Sequence, residues 1–358
     1  MEKSRVSAQF EIPYFQLLSP EGTVAAHAPP LDRELLLAMY KEMVRTRTFD
    51  TKAVNLQRTG KLGTYPSCLG HEATHVAVGA AMRAEDVLFT VYREVGTKFW
   101  RGVPMTDILL YWGGDERGTM YQKNKEDFPF CVPIASQMPQ AAGCAMAFSI
   151  RKQPRCAVAF IGDGGTSQGA FYEAINLAGA RNLPLVTLVV NNGWAISVPL
   201  SEQTGAKTLA QKAIAAGVTG VQADGNDVLA MYHLTREALE RARSGGGPTV
   251  IEALTYRLGD HTTADDATRY RQASEVEAAR RIEPLLRTRA LLEAEGLWSE
   301  AAEQALRAAA SAEVEDAVKA YLATPRQSSD AMFDHLFAEL PRNLQSQREQ
   351  ARHYAGRH

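Results

Sequence analysis

The sequence is poor in the features that would take it out of the ordinary globular class. Only four cysteines occur in 358 residues, Cys68, Cys131, Cys144 and Cys156, and no two have CxxC spacing. That excludes a disulfide framework and a zinc knuckle, and it reads as buried thiols in a reducing cytoplasm. There is no charge excess: Lys+Arg is 39, Asp+Glu is 41, and the formal net charge is −2. A nucleic-acid or anionic-membrane surface needs basic residues in surplus, so neither is expected as a partner. No apolar run approaches the roughly 18 residues of a membrane span. Met1 to Phe10 carries Glu2, Lys3 and Arg5 without an apolar core, so neither a secretory signal nor a transit peptide is expected there. No GK[ST] occurs, which removes a P-loop. The turn at Gly162, Gly164 and Ser167 is G-x-G-x-x-S, and no acidic residue ends the next strand to hold a ribose.

What is present is 45% hydrophobic and 22% charged, enough for one large domain or two modest ones. Leu31 to Arg58 reads as a long helix, with Leu35, Met39, Met43 and Val44 at helical spacing and Gly60 as its stop. Apolar runs at Val87–Tyr92, Cys156–Ile161, Leu185–Val190, Val218–Ala223 and Thr249–Tyr256 alternate with helical stretches at Pro139–Arg151, Gln168–Asn182 and Asp227–Arg243. Tyr14 to Gly22 adds a short strand and turn. Strands that are apolar throughout and separated by helices predict an α/β fold, a mostly parallel sheet flanked by helices. After Arg271 the texture becomes helical: Glu275–Glu295, then a helix capped by Ser299 and running to about Leu322, then two short pieces. The expected division is an N-terminal extension over 1–30, a binding domain over 31–272 and a helical extension over 273–358.

The chemistry concentrates at two strand ends. Asp163 ends one buried strand and Asn192 the next, neighbouring positions at the carboxyl edge of a parallel sheet. A carboxylate and an amide oxygen together suit a small hard cation that keeps positions open for phosphate oxygens. Gly162, Gly164 and Gly165 remove side chains so that backbone N–H groups approach an anion. The pair implies a Mg2+–diphosphate site. Two connecting turns are the plainer reading, and the order and spacing of the pair weigh against it.

GDG followed about thirty residues later by NN resembles the diphosphate-binding motif of thiamine diphosphate enzymes. QRTGKLGTYPSCLGHE, LFTVYREVG, GDGGTSQGAFYEAINLAG, VVNNGWAIS, GDHTTADDATRYR and FAELP narrow the match. From Tyr14 to about Pro341 the chain is similar to the alpha subunit of the decarboxylating component of 2-oxo acid dehydrogenase complexes, of the bacterial pyruvate dehydrogenase type. The resemblance implies the thiamine diphosphate-binding fold. It implies Mg2+ on Asp163, Asn192 and the carbonyl of Trp194, and cofactor contacts from Tyr92, Arg93, Ile134, Gly162, Gly164, Gly165, Ile196 and His261. Ile134 matches an apolar wedge that keeps thiamine bent. His261 matches the histidine that meets the lipoyl group, where a ring tuned near neutral pH can give a proton. Arg257, Asp265 and Arg271 match positions that order this loop through ion pairs; relatives carry another histidine where Asp260 stands, and animal relatives a phosphorylated serine at Thr262. Ser136 and Gln137, after Pro133, match a loop that holds K+ in some relatives, although Cys131 and Val132 replace its hydroxyls. Relatives place an aromatic wall near Thr64 or Tyr65.

The resemblance also implies partners. Its single-chain members carry a pyrimidine-binding domain with an activating glutamate, for which 358 residues leave no room. A beta subunit in a 2+2 heterotetramer, a lipoyl-bearing dihydrolipoyl acyltransferase and a 2-oxo acid substrate are expected. The substrate alternatives are branched-chain 2-oxo acids and acetoin. Two readings of other classes stand beside it, an inactive scaffold subunit and a zinc peptidase. The latter rests on His71-Glu72-Ala73-Thr74-His75, an HExxH pattern without a third ligand downstream.

Overall fold

A computed structural model of the chain describes Val6 and residues 8–30 and 32–355. Met1–Arg5, Ser7, Leu31 (the expected helix start) and the last three residues of the expected extension lie outside the described residues. In chain order the elements are β1 (Tyr14–Phe15), α1 (Arg33–Arg58), α2 (Glu72–Ala81), β2 (Val87–Phe89), α3 (Val95–Trp100), α4 (Met105–Trp112), α5 (Gln137–Ile150), β3 (Ala157–Gly162), α6 (Gly169–Arg181), β4 (Leu185–Asn191), β5 (Trp194–Ala195), β6 (Val198–Pro199), α7 (Leu200–Gln203), α8 (Lys212–Ala215), β7 (Thr219–Asp224), α9 (Val228–Arg243), β8 (Thr249–Leu254), α10 (Ala273–Arg281), α11 (Pro284–Ala294), α12 (Glu300–Ala323), α13 (Ala331–Asp334) and α14 (Arg342–Ala355).

Six strands form one sheet in the order β1-β7-β8-β4-β3-β2, and each neighbouring pair is parallel. The expected α/β architecture follows from side-chain alternation. In β3, Val158 and Phe160 face a core shared with α1, α2 and α9, while Ala157, Ala159 and Ile161 face α5 and α6. Both faces are covered, which is why the strand reads as one apolar run. Full burial of a side chain such as Phe160 or Ile161 contributes roughly 1.5–3 kcal/mol. Parallel strands place all their carboxyl ends on one edge, and the turns there carry the candidate site.

Capping sets the helix starts. Asp32 accepts from the Leu35 N–H at 3.0 Å, and Ser299 accepts from the Ala302 N–H at 3.2 Å. Asp227 caps α9 through Leu229 and Ala230, and it also accepts from the Leu17 and Leu18 N–H groups at 2.5 and 2.6 Å. One carboxylate therefore ties the N-terminal strand region to a helix more than two hundred residues away.

The structure corrects three expectations. Glu275–Glu295 is two helices, because Pro284 lacks an N–H and Glu283 caps a new start through Leu286 at 3.2 Å. The final helical piece, α14, has 14 residues and is not short. Cys68 and Cys156 are buried, but Cys131 and Cys144 are part-exposed, since the first lies in the loop leading to α5 and the second on its rim; all four are free. The helical region after Arg271 lies on the same body. Val314 and Val318 of α12 join Phe49 and Ala53 of α1 and Ile108 and Leu109 of α4, and Arg287 of α11 pairs with Asp224 at 2.6 Å. Among the described residues no helix is long and apolar enough to cross a membrane.

Candidate active site

The residues expected to supply oxygen ligands line one cavity, at the ends of neighbouring strands. Gly162 of β3 is in register with Val190 of β4, and the Asp163 N–H donates to the Val190 carbonyl at 3.3 Å. Asp163 is 2% exposed, and its Oδ2 is buried without a hydrogen-bond partner. Burial pushes its carboxyl up to about 6, opposed by neighbouring backbone N–H groups and by the Arg257 guanidinium. The Asn192 Oδ1 accepts from the Trp194 N–H at 3.2 Å, fixing the side chain toward the turn. The Trp194 carbonyl points where Arg257 Nη1 reaches it at 3.3 Å. A carboxylate oxygen left orphaned in the interior, beside an amide and a carbonyl oxygen, is the donor set a small hard cation takes.

Two of the three glycines are required by close approach. A Cβ on Gly164 would lie 2.7 Å from the Ala195 Cβ, and one on Gly165 2.6 Å from the Ile161 Cγ1; Gly162 faces open space. Two non-glycine residues here occupy the left-handed region, Ala135 at φ +67° and Ile196 at φ +56°. For a β-branched residue that costs on the order of 1–3 kcal/mol, and such strain persists where surrounding contacts impose it. Arg257 Nη2 donates to the Ile196 carbonyl at 2.8 Å and supplies one such contact.

Two guanidinium groups without carboxylate partners line the same cavity. Arg93 is buried; it donates to the Ser67 carbonyl and, at 3.0 Å, to the His261 carbonyl. Arg257 is buried as well, and its Nη2 donates to the Tyr270 hydroxyl at 2.9 Å. Neither forms an ion pair among the described residues. Buried cations that lack a counter-charge make the cavity a site for an anion. Tyr92 meets His261 edge to face at 6.1 Å.

His261 differs from expectation. Its Nδ1 lies 3.3 Å from Arg93 Nη2 and 3.4 Å from Arg257 Nη1. Burial first, then these two cations, lower its pKa to about 3, so the ring is neutral rather than tuned near pH 7. Two donors facing Nδ1 make that nitrogen the acceptor, which leaves the ring proton on Nε2. The loop is also ordered differently. Asp265 accepts from the His261 N–H at 2.9 Å and from the Tyr270 hydroxyl, while Arg271 donates to the carbonyls of Arg257 and Gly259. The expected ion pairs are replaced by hydrogen bonds, because loop carbonyls without ladder partners need donors. Asp260 accepts from the Ala267 N–H at 3.1 Å, and Thr262 lies on the cavity wall.

Every cofactor-contact and metal residue expected from the sequence, from Tyr92 to His261, lines one cavity of about 400 Å³. The wall also holds residues that sequence reading passed over or assigned elsewhere: Pro66, His71, Glu94 and Trp112. Glu94 accepts from the Val91 N–H at 2.9 Å and fixes the turn before Tyr92. In the HExxH pattern only the glutamate is otherwise engaged; the ring nitrogens of His71 and His75 are buried and have no hydrogen-bond partner among the described residues. Glu72 pairs with Arg47 at 2.8 Å and accepts from the Gly70 N–H, and among the described residues no group of three His, Cys, Asp or Glu is placed to hold a metal. In the loop compared with a potassium site, Ser136 Oγ donates to the Pro133 carbonyl and lies 3.0 Å from Cys131 Sγ, while Gln137 Nε2 donates to the Phe160 carbonyl.

Comparison with known proteins agrees with the geometry. The family model described as dehydrogenase E1 component matches residues 40–329. The 3-methyl-2-oxobutanoate dehydrogenase subunit alpha of Mycobacterium tuberculosis is 44% identical over 343 residues, 94% of this chain and 93% of that protein. The pyruvate dehydrogenase E1 component subunit alpha of Staphylococcus epidermidis is 40% identical over 349 residues, 97% of this chain and 94% of the relative. That of Staphylococcus aureus is 40% identical over 337 residues, 93% and 91%. With these matches across nearly its whole length, and the motif residues gathered in one cavity, the chain belongs to the dehydrogenase E1 component family as an alpha subunit of the 2-oxo acid dehydrogenases.

Proposed function

We propose that the chain is the alpha subunit of a pyruvate dehydrogenase (acetyl-transferring), which decarboxylates pyruvate and reductively acetylates a lipoyl group on a dihydrolipoyl acyltransferase. The observation that carries this is one cavity with an orphaned carboxylate, Asp163 Oδ2, and two guanidinium groups lacking counter-charges, Arg93 and Arg257. Mg2+ would take Asp163, Asn192 and the Trp194 carbonyl. The diphosphate of thiamine diphosphate would take the Gly162–Gly165 turn, Tyr92 and Arg93. Ile134 and Ile196 would supply apolar contact to the rest of the cofactor. Thiamine diphosphate, when bound, supplies the electron sink for loss of CO2 from the 2-oxo acid.

The chain's own part is to bind, to orient and to offer one hydrogen-bond donor. The two guanidinium groups attract the diphosphate and hold it against the glycine turn. His261, kept as the Nε2–H tautomer, presents a hydrogen-bond donor in the same cavity, where it would donate to a sulfur of the lipoyl ring as that ring opens. No carboxylate of this chain is assigned to activation of the aminopyrimidine, so a beta subunit would bring that glutamate at the interface of an α2β2 heterotetramer.

A second reading, 3-methyl-2-oxobutanoate as substrate, is favoured by the name and the 44% identity of the mycobacterial relative. Turnover of the complete complex on pyruvate, 3-methyl-2-oxobutanoate and acetoin tests the choice. Preference for pyruvate is expected, and preference for either other compound overturns the pyruvate reading.

A further inference from the structure

Besides Asp163, Asn192 and the glycine turn, the cavity is lined by Thr64, Pro66, Trp112, His261 and Thr262. Hydrogen bonds bring Trp112 to the segment that meets the His261 loop. Its carbonyl accepts from the Gly63 N–H at 3.0 Å. Two residues on, Tyr65 is tied to the His261 loop twice: its N–H donates to Thr263 Oγ1 and its carbonyl accepts from the Thr263 N–H, both at 3.0 Å. The approach requires glycine, since a Cβ on Gly63 would lie 2.5 Å from the Trp112 carbonyl oxygen.

An aromatic wall is expected near Thr64 or Tyr65. Tyr65 cannot provide it: its ring is fully buried, and its hydroxyl donates to Asp50 at 3.0 Å. Thr64 is small. Besides Tyr92, which meets His261, and Trp194, the aromatic residue lining the cavity is Trp112, forty-eight residues beyond Thr64. It is held from behind by Tyr65 at 6.0 Å and Phe130 at 5.9 Å between ring centroids. The corner after it is pinned by Tyr321 of α12, whose hydroxyl donates to the Lys61 carbonyl at 2.9 Å and would lie 2.5 Å from a Cβ on Gly113. The indole Nε1 is buried and has no hydrogen-bond partner among the described residues.

We propose that Trp112 limits the size of the 2-oxo acid side chain: its indole walls the cavity so that a methyl group fits and a branched chain does not. This rests on the reading of the chain as a pyruvate-type alpha subunit. A rigid wall backed by packed aromatics discriminates by volume, and each extra methylene in such a pocket is worth roughly 10- to 200-fold in kcat/KM.

The test uses the complete complex with its beta subunit. For wild type, Trp112→Leu and Trp112→Phe, kcat/KM is measured for pyruvate and for 3-methyl-2-oxobutanoate, with thiamine diphosphate affinity as a separate readout. Trp112→Leu is expected to shift the ratio toward the branched acid by at least about tenfold, and Trp112→Phe by far less, with cofactor affinity retained. An unchanged ratio in a cofactor-binding Trp112→Leu complex overturns the assignment. If Trp112→Leu fails to assemble, Thr64→Phe narrows the same wall. It is expected to raise KM for the branched acid more than for pyruvate, and equal effects overturn the assignment. A wild-type complex that prefers 3-methyl-2-oxobutanoate overturns the pyruvate reading and the size limit together. A pyruvate-preferring wild type with an unchanged Trp112→Leu ratio overturns the Trp112 role alone.

Discussion

Replacing Asp163 by Asn separates what this residue does for the fold from what it does for a ligand. In the ligand-free chain its carboxylate is buried, one oxygen has no partner, and burial moves its midpoint from 3.8 to about 6. Holding that group ionised at pH 7 costs about 3 kcal/mol. The sign follows from linkage. The folded state binds the proton more tightly than the unfolded state, so this group's contribution to stability falls as pH rises from about 4 to about 6 and is constant above. Asp163→Asn keeps the shape and removes the charge. The ligand-free variant is therefore expected to be more stable than wild type at pH 7, by up to about 3 kcal/mol, and to lack that part of the pH slope. With Mg2+ and thiamine diphosphate the order reverses. Wild type gains stability by mass action, roughly 4.1 kcal/mol at a thousandfold excess over Kd, and the variant gains little. Urea titrations at pH 5 and pH 7, with and without both ligands, read all four quantities. A variant that is less stable without ligand yet keeps the full ligand-induced gain would refute the role of Asp163 as a metal ligand held at the cost of a buried charge.

His261→Ala is expected to leave Mg2+–thiamine diphosphate affinity near that of wild type while lowering reductive acylation of a lipoyl domain by roughly a hundredfold or more; lost cofactor binding would contradict the assigned role. Since burial, aided by Arg93 and Arg257, holds the ring neutral down to about pH 3, its NMR resonance, assigned by comparison with His261→Gln, should not titrate between pH 5 and 8 in the ligand-free protein. A depressed histidine pKa also costs stability as pH falls from about 6.5 toward 3, because the unfolded chain takes the proton first. Asp227→Ala strands the N–H groups of Leu17, Leu18, Leu229 and Ala230 and should destabilise the chain by about 3–5 kcal/mol. Asp227→Asn, which keeps an acceptor oxygen, should cost less in the same urea titration.

How far each feature was legible in the sequence depended on whether its cause was local. The buried strands Ala157–Gly162 and Leu185–Asn191 were legible because a strand covered on both faces must be apolar throughout. Asp163 and Asn192 followed from them, as residues just past two such strands. The short helices Val95–Trp100 and Met105–Trp112 went unread because neither begins with a side-chain cap, and each is held by tertiary burial of Val95, Phe99, Ile108 and Leu109. The break at Glu283–Pro284 was readable from proline alone but is masked by helical periodicity on both sides. The neutral state of His261 was not legible, because it depends on tertiary burial and on a guanidinium 168 residues away. Trp112 meets Gly63 across a fold contact that no local spacing records.

The central claim is that this chain supplies the diphosphate-binding half of an active site completed by another subunit. The most direct measurement is 2-oxo acid decarboxylation by the purified chain with thiamine diphosphate and Mg2+, before and after addition of the beta subunit. Negligible turnover alone, with activity appearing on addition, is the expected result. Robust decarboxylation by the chain alone would contradict it.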